Sequence, residues 1–77
     1  MGEPATYPLP GGPAHPQWPA IRAGMRSAHA FRLGGATGPV PDPPGWIADP
    51  GWWRAGFVWG LVVPRHLVAL VLEATGP

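Results

Sequence analysis

The sequence predicts a mostly disordered chain with one C-terminal α-helix that crosses a membrane once. Three observations lead to this fold class. The 77 residues include 13 prolines and 12 glycines, a share that is typical of low-complexity chains. There is no cysteine, so no disulfide can stabilise a small core. A single long apolar run extends from Trp52 to Leu72.

Two segments are rich in proline and predict solvated, extended chain. Residues 1–19 contain six prolines and read as a disordered tail, which could also present a ligand to an aromatic groove. Residues 34–51 contain five more prolines and several glycines, and they predict a linker. No secretory signal is expected in residues 1–19, because proline interrupts any apolar core there.

Between these segments, residues 20–33 predict a short amphipathic helix. Pro19 suits the first helical position and Gly34 suits the end. Arg22, Arg26 and His29 share one face and would form a basic face that contacts anionic lipid or phosphate. The alternative is a weakly helical solvated segment, since isolated helices of this length are marginal in water.

Three tryptophans precede the apolar run. Trp46, Trp52 and Trp53 predict an interface belt, because tryptophan favours the boundary between lipid and water. With no other apolar segment nearby to form a core, this interpretation is favoured over burial inside a globule.

The C-terminal region 52–74 predicts the membrane span. Its 21-residue apolar core would be about 31 Å long as a helix, close to the thickness of a hydrocarbon layer. Pro64 predicts a kink. Arg65 and His66 would then be intramembrane polar residues, in contact with a partner helix, a lipid phosphate or water. The free-energy cost of placing these polar residues in a bilayer nearly cancels the gain from the apolar side chains, so a partner helix would assist insertion.

Gly56, Gly60 and Pro64 lie on one stripe of this predicted helix. The G-x-x-x-G spacing predicts a helix-packing groove for a partner transmembrane helix or for self-association. Three of the five arginines precede the run and Arg54 lies at its entry, which predicts a cytoplasmic N-terminus under the positive-inside rule.

Chemistry-bearing residues are scattered. Three histidines and four acids form no recognised metal motif, and the single serine has no framework that would activate it. We therefore expect no enzyme activity, no metal and no cofactor. The net charge of +1 predicts no specific nucleic-acid binding.

The segment Pro50–Leu61, with its Pro-Gly-Trp-Trp start, resembles the membrane entry of short proteins from GC-rich, actinobacterial-type plasmids and integrated mobile elements. Such proteins are typically encoded near DNA-transfer genes. The resemblance implies a small membrane protein that accompanies conjugal transfer, and it implies no catalytic residue.

Three functions remain open at this level. The first is a single-pass membrane protein acting as a non-catalytic accessory or interaction component, with membrane lipid and a partner helix as its contacts. The second is a soluble disordered interaction peptide that folds on a partner. The third is a pigment- or haem-binding membrane subunit that uses His66. A further alternative is that the sequence comes from a GC-rich reading frame that encodes no evolved protein.

Overall fold

The computed structural model describes residues 9–76, and three α-helices make up its architecture. Helix α1 spans Trp18–Leu33, α2 spans Pro50–Val62 and α3 spans Arg65–Thr75. Residues 34–49 connect α1 to α2 without regular secondary structure. The helices pack into one compact body with a Cα radius of gyration of 12.4 Å.

The helix boundaries follow from proline, glycine and aspartate. Proline lies in the first turn of both α1 and α2, where its missing N–H has no intrahelical partner in any case. Asp49 precedes α2, and its carboxylate accepts a hydrogen bond of 3.0 Å from the backbone N–H of Gly51. Gly34 follows α1, and its N–H donates to the carbonyl of Ala30.

Pro64 separates α2 from α3. Val63 and Pro64 both adopt extended backbone angles, with ψ of 143° and 138°. Proline disfavours helical geometry at the residue before it and cannot donate to a helical ladder. The carbonyl of Pro64 then accepts hydrogen bonds from Leu67 and Val68, which begins a new helix. The predicted kink is therefore a complete break.

Helices α1 and α2 lie side by side in the same direction with their backbones in close contact. Gly56 faces Ile21 near the start of α1, and Gly60 faces Met25 and Ala28 one turn later. A Cβ atom at Gly56 would overlap the carbonyl oxygen of Ile21. Glycine is required there because the two backbones leave no room for a side chain.

The core consists of two buried clusters on either side of this contact. Helix α3 contributes Val68, which is fully buried together with Ile21, Met25 and Val63. The second cluster joins Ala28 to the aromatic residues Trp53 and Phe57, whose stacked rings have centroids 5.0 Å apart.

Two arginines of α1 bind the C-terminal ends of the other helices. Arg32 Nη1 donates to the carbonyl oxygens of Gly60, at 2.8 Å, and Val63. Arg22 Nη2 donates to the carbonyl oxygen of Leu72 at 2.7 Å. A guanidinium at these positions satisfies carbonyls that have no intrahelical partner and complements the negative end of the helix dipole.

The predicted fold class, a mostly disordered chain with one C-terminal helix, is wrong. The described residues are 59% helical and form a three-helix globule. The prediction of a disordered chain did not account for the apolar surface that α1 and α2 bury against each other. Leu9 packs on the core, and the His15 ring lies 4.7 Å from that of Trp52. The part of the predicted tail before Leu9 lies outside the described residues.

The predicted membrane span and the localisation in a membrane are also wrong. None of the helices within residues 9–76 is long and apolar enough to cross a bilayer. The 13 residues of α2 and 11 residues of α3 are about 20 Å and about 17 Å long, short of the roughly 30 Å required. The break at Pro64 divides the apolar run into two short helices, and part of the run is buried against α1.

Candidate interaction surfaces

The glycine stripe lies inside the molecule. Gly56 and Gly60 contact α1 of the same chain. Pro64 is half-buried and ends the stripe at the break between helices. The surface proposed for an outside helix is thus occupied by α1, which contributes its own small residues Ala20, Gly24 and Ala28. Their spacing of four in the sequence is the signal that could have located this contact.

The three tryptophans of the predicted belt have three different environments. Trp53 is 2% exposed and lies in the core, and its Nε1 has no hydrogen-bond partner among the described residues. Trp52 is half-buried against the first core cluster. Trp46 is 64% exposed. The three side chains therefore do not form a common surface.

The predicted basic face is divided by the tertiary structure. Arg22 is half-buried, and its Nε also donates to Thr75 Oγ1 at 3.3 Å. Arg26 is exposed. His29 is half-buried, and its Nδ1 has no partner within residues 9–76. Only Arg26 among these three presents its charge freely to the outside.

Arg65 and His66 are exposed in the first turn of α3. Helix α3 is not long and apolar enough to cross a membrane, so the structure gives, among the described residues, no membrane-spanning helix in which they would lie. Within the described part of the chain, no group of three or more potential metal ligands comes together around His66 or elsewhere. A pigment or haem would therefore have His66 as an isolated surface ligand.

A surface that the sequence did not reveal lies on the outer side of α2. It contains Arg54, Val58 and Val62, which are spaced four positions apart and are all exposed, the two valines by 57% and 61%. We call these three residues the outer stripe. No residue from Ala55 to Pro64 carries a charge. An α-helix that is apolar on all sides normally has neighbours on all sides, and α1 is the one described helix that packs extensively against α2.

An apolar groove of about 380 Å³ adjoins the outer stripe. The connection contributes Val40, Pro41 and Pro43 to its wall, and α2 contributes Phe57 and Leu61. Asp42, Trp53 and two residues of the outer stripe, Arg54 and Val58, complete the lining. The groove and the stripe together form one continuous surface with apolar character.

A second groove, of about 580 Å³, lies on the outer side of α1. We call it the arginine–tryptophan groove after its principal residues. It is lined by Trp18, Arg22, Arg26, Ser27, Trp46 and Thr75, together with Pro19 and two alanines. Trp18 is almost fully buried, and its Nε1 has no acceptor among residues 9–76.

Comparisons with known proteins give no further guide to these surfaces. No family model matches the chain, and no curated protein and no solved structure matches it either.

Proposed function

We propose that this protein is a non-catalytic interaction module that binds an amphipathic helix of another protein along the outer side of α2. The observation that carries the proposal is the exposure of Val58 and Val62 on a helix with no charged residue between Arg54 and Arg65. Apolar side chains that line up on one exposed face are a typical docking surface for a partner helix.

The adjoining groove provides an anchor point. Its walls are formed by proline and valine on the connection and by Phe57 and Leu61 on α2. Large apolar side chains that enter such a pocket usually carry most of the binding free energy of an interface. A leucine or phenylalanine of the partner would fill the groove while its neighbours cover Val58 and Val62.

Two arginines flank this surface along the chain, Arg54 within the outer stripe and Arg65 three residues after Val62. Arg54 and Arg65 are exposed, and neither forms a hydrogen bond or ion pair with another described residue. A second copy of the chain, paired on the same surface by a two-fold axis, would bring arginine against arginine in either helix direction. Like charges across an interface oppose association. Asp42 also lines the groove, so this surface and its two arginines carry a net positive charge, which favours a partner helix with acidic residues beside its apolar stripe.

Binding of two designed helical peptides tests this proposal. The peptides share one leucine stripe and differ only in flanking residues, which are glutamates in one and lysines in the other. We expect the glutamate peptide to bind about tenfold more tightly at low salt, because only it complements the two arginines. Isothermal titration gives the affinities.

A pair of exposed-site variants provides the control. Val62→Asp should weaken binding of the glutamate peptide, whereas Leu70→Asp on α3 should leave binding unchanged, since Leu70 is 55% exposed and does not line the groove beside α2. Equal affinity for both peptides, or equal loss in both variants, contradicts the proposal. A dimer in sedimentation experiments that Val62→Asp dissociates would assign the surface to a second copy instead.

We further propose that the partner belongs to a DNA-transfer system. This second proposal rests only on the resemblance of Pro50–Leu61 to proteins of mobile elements. Deletion of the reading frame from such an element should lower transfer frequency, and complementation should restore it. Complementation by the Val62→Asp variant should fail if the outer stripe is the working surface. Transfer at an unchanged frequency after deletion contradicts this assignment.

A further inference from the structure

We propose that the arginine–tryptophan groove binds a small phosphate monoester that carries a planar apolar group. This site is separate from the outer stripe, because it lies on the outer side of α1 and shares no lining residue with the groove beside α2. The proposal rests on three features of the groove: its charge, its aromatic walls and the attachment of Arg22 to α3.

The charge of the groove favours an anion. Arg22 and Arg26 are one helical turn apart, so their side chains are neighbours on the same face. Among residues 9–76, no acidic side chain lines the groove. Arg22 uses Nε and Nη2 to bind Thr75 and Leu72, which leaves the donors on Nη1, and Arg26 has no hydrogen-bond or ionic partner in the described chain.

The donor arrangement fits phosphate better than carboxylate. Arg22, Arg26 and Ser27 line the groove from three different positions on α1, and each side chain carries a hydrogen-bond donor. A phosphate monoester offers three terminal oxygens in a tetrahedral arrangement, whereas a carboxylate offers two oxygens in one plane. Arginine forms short, charge-assisted hydrogen bonds to phosphate oxygens.

The remaining walls fit a planar apolar group. Trp46 is 64% exposed on one side of the groove, and the largely buried Trp18 lines it as well. An exposed indole offers a flat face on which an aromatic ring can stack, and stacking of this kind tolerates many ring types. The body of the ligand would therefore cover an aromatic surface that is otherwise in contact with water.

Arg22 connects the site to the fold. The same guanidinium holds the C-terminal end of α3 through Leu72 and Thr75. A phosphate that binds the free Nη1 group would fix this side chain in its present position. We therefore expect ligand binding to raise the thermal unfolding temperature, since a ligand that binds only the folded state stabilises it.

Titration of the full-length chain with phenyl phosphate at about 0.15 M salt tests the site. We expect phenyl phosphate to bind more tightly than inorganic phosphate, and phenylacetate to bind more weakly. Arg26→Gln should weaken phenyl phosphate binding about tenfold through loss of a charge-assisted contact. Trp46→Ala should weaken phenyl phosphate but leave inorganic phosphate unchanged.

Arg54→Gln is the matched control, because Arg54 is an exposed arginine that does not line this groove. Equal weakening by Arg26→Gln and Arg54→Gln would show diffuse attraction and overturn the proposal. Inorganic phosphate or phenylacetate binding as tightly as phenyl phosphate would also overturn it. Adenosine 5′-phosphate distinguishes two classes of phosphate monoester as the ligand. Tighter binding than phenyl phosphate supports a nucleotide, and weaker binding supports a simple aryl phosphate.

Discussion

At the scale of single residues, glycine determines how closely α1 and α2 approach. A Cβ atom at Gly24 would overlap the backbone of Trp53 and Phe57, and one at Gly56 would overlap the backbone of Ile21. Close backbone contact of this kind lets many atoms of the two helices meet at van der Waals distance, which compensates for the absence of side chains at the contact. Gly45 contrasts with these positions, because no atom of residues 9–76 lies within 4 Å of the Cβ it would carry.

We predict that Gly56→Ala lowers the free energy of unfolding by about 3 kcal/mol or more, because the two helices must separate. Helix propensity alone would raise stability by about 1 kcal/mol, so the sign of the change is diagnostic. Urea unfolding followed by tryptophan fluorescence measures it. Gly45→Ala is the control and should change stability by less than about 1 kcal/mol in either direction. A Gly56→Ala protein at least as stable as the parent contradicts the close contact.

At the scale of helices, the ends of α2 and α3 depend on α1. Neither helix has a basic residue in its last turn. Arg32 and Arg22 provide the missing positive charge from outside, at Gly60 and Val63 in one case and at Leu72 in the other. The sequence places both arginines on α1, but their partners are 28 to 50 residues away along the chain.

We predict that Arg32→Gln lowers the free energy of unfolding by about 1.5–3 kcal/mol, the usual contribution of a partly buried hydrogen bond from a charged donor. The carbonyl oxygens at the end of α2 would also lose their partner. Arg54→Gln, on an exposed arginine of α2, should change stability by less than about 0.5 kcal/mol. Chemical unfolding of both variants under the same conditions compares them. Equal stability of the two variants would contradict the capping role.

At the scale of the whole molecule, a small core is shared among three short helices. Helix α1 packs mainly on α2, and α3 is attached through Val68 and the Arg22 contacts. Several apolar side chains remain exposed, including Val58, Val62 and Leu70. The molecule therefore has apolar surface available for a partner, which is the basis of the proposed function.

We predict that small-angle X-ray scattering gives a radius of gyration much closer to the 12.4 Å of the Cα atoms than to that of an unfolded chain. An unfolded chain of this length would measure about 27 Å. Scattering in about 6 M guanidinium chloride provides the unfolded reference for the same chain. A value in plain buffer that matches this reference would contradict the three-helix globule.

Some local features could be predicted from the sequence. Pro19 and Gly34 indicate the ends of a helical segment, and α1 extends from Trp18 to Leu33. Pro64 indicates an interruption, although the sequence alone did not distinguish a kink from a break. Trp53 shows why the environment of a side chain could not be predicted. Its indole suits either a membrane boundary or a core, and the choice depends on whether another apolar surface is near in space.

The sequence by itself determined where helices can start and stop, because proline, glycine and aspartate act through the backbone of their immediate neighbours. It also determined the absence of disulfides and the supply of apolar residues. Only the tertiary structure decided what covers those residues. Burial depends on contacts between segments that are distant along the chain, such as Gly56 with Ile21 and Arg32 with Gly60. The same apolar run can lie against lipid or against α1, and the small residues of α1 favour the second arrangement by letting the two helices meet.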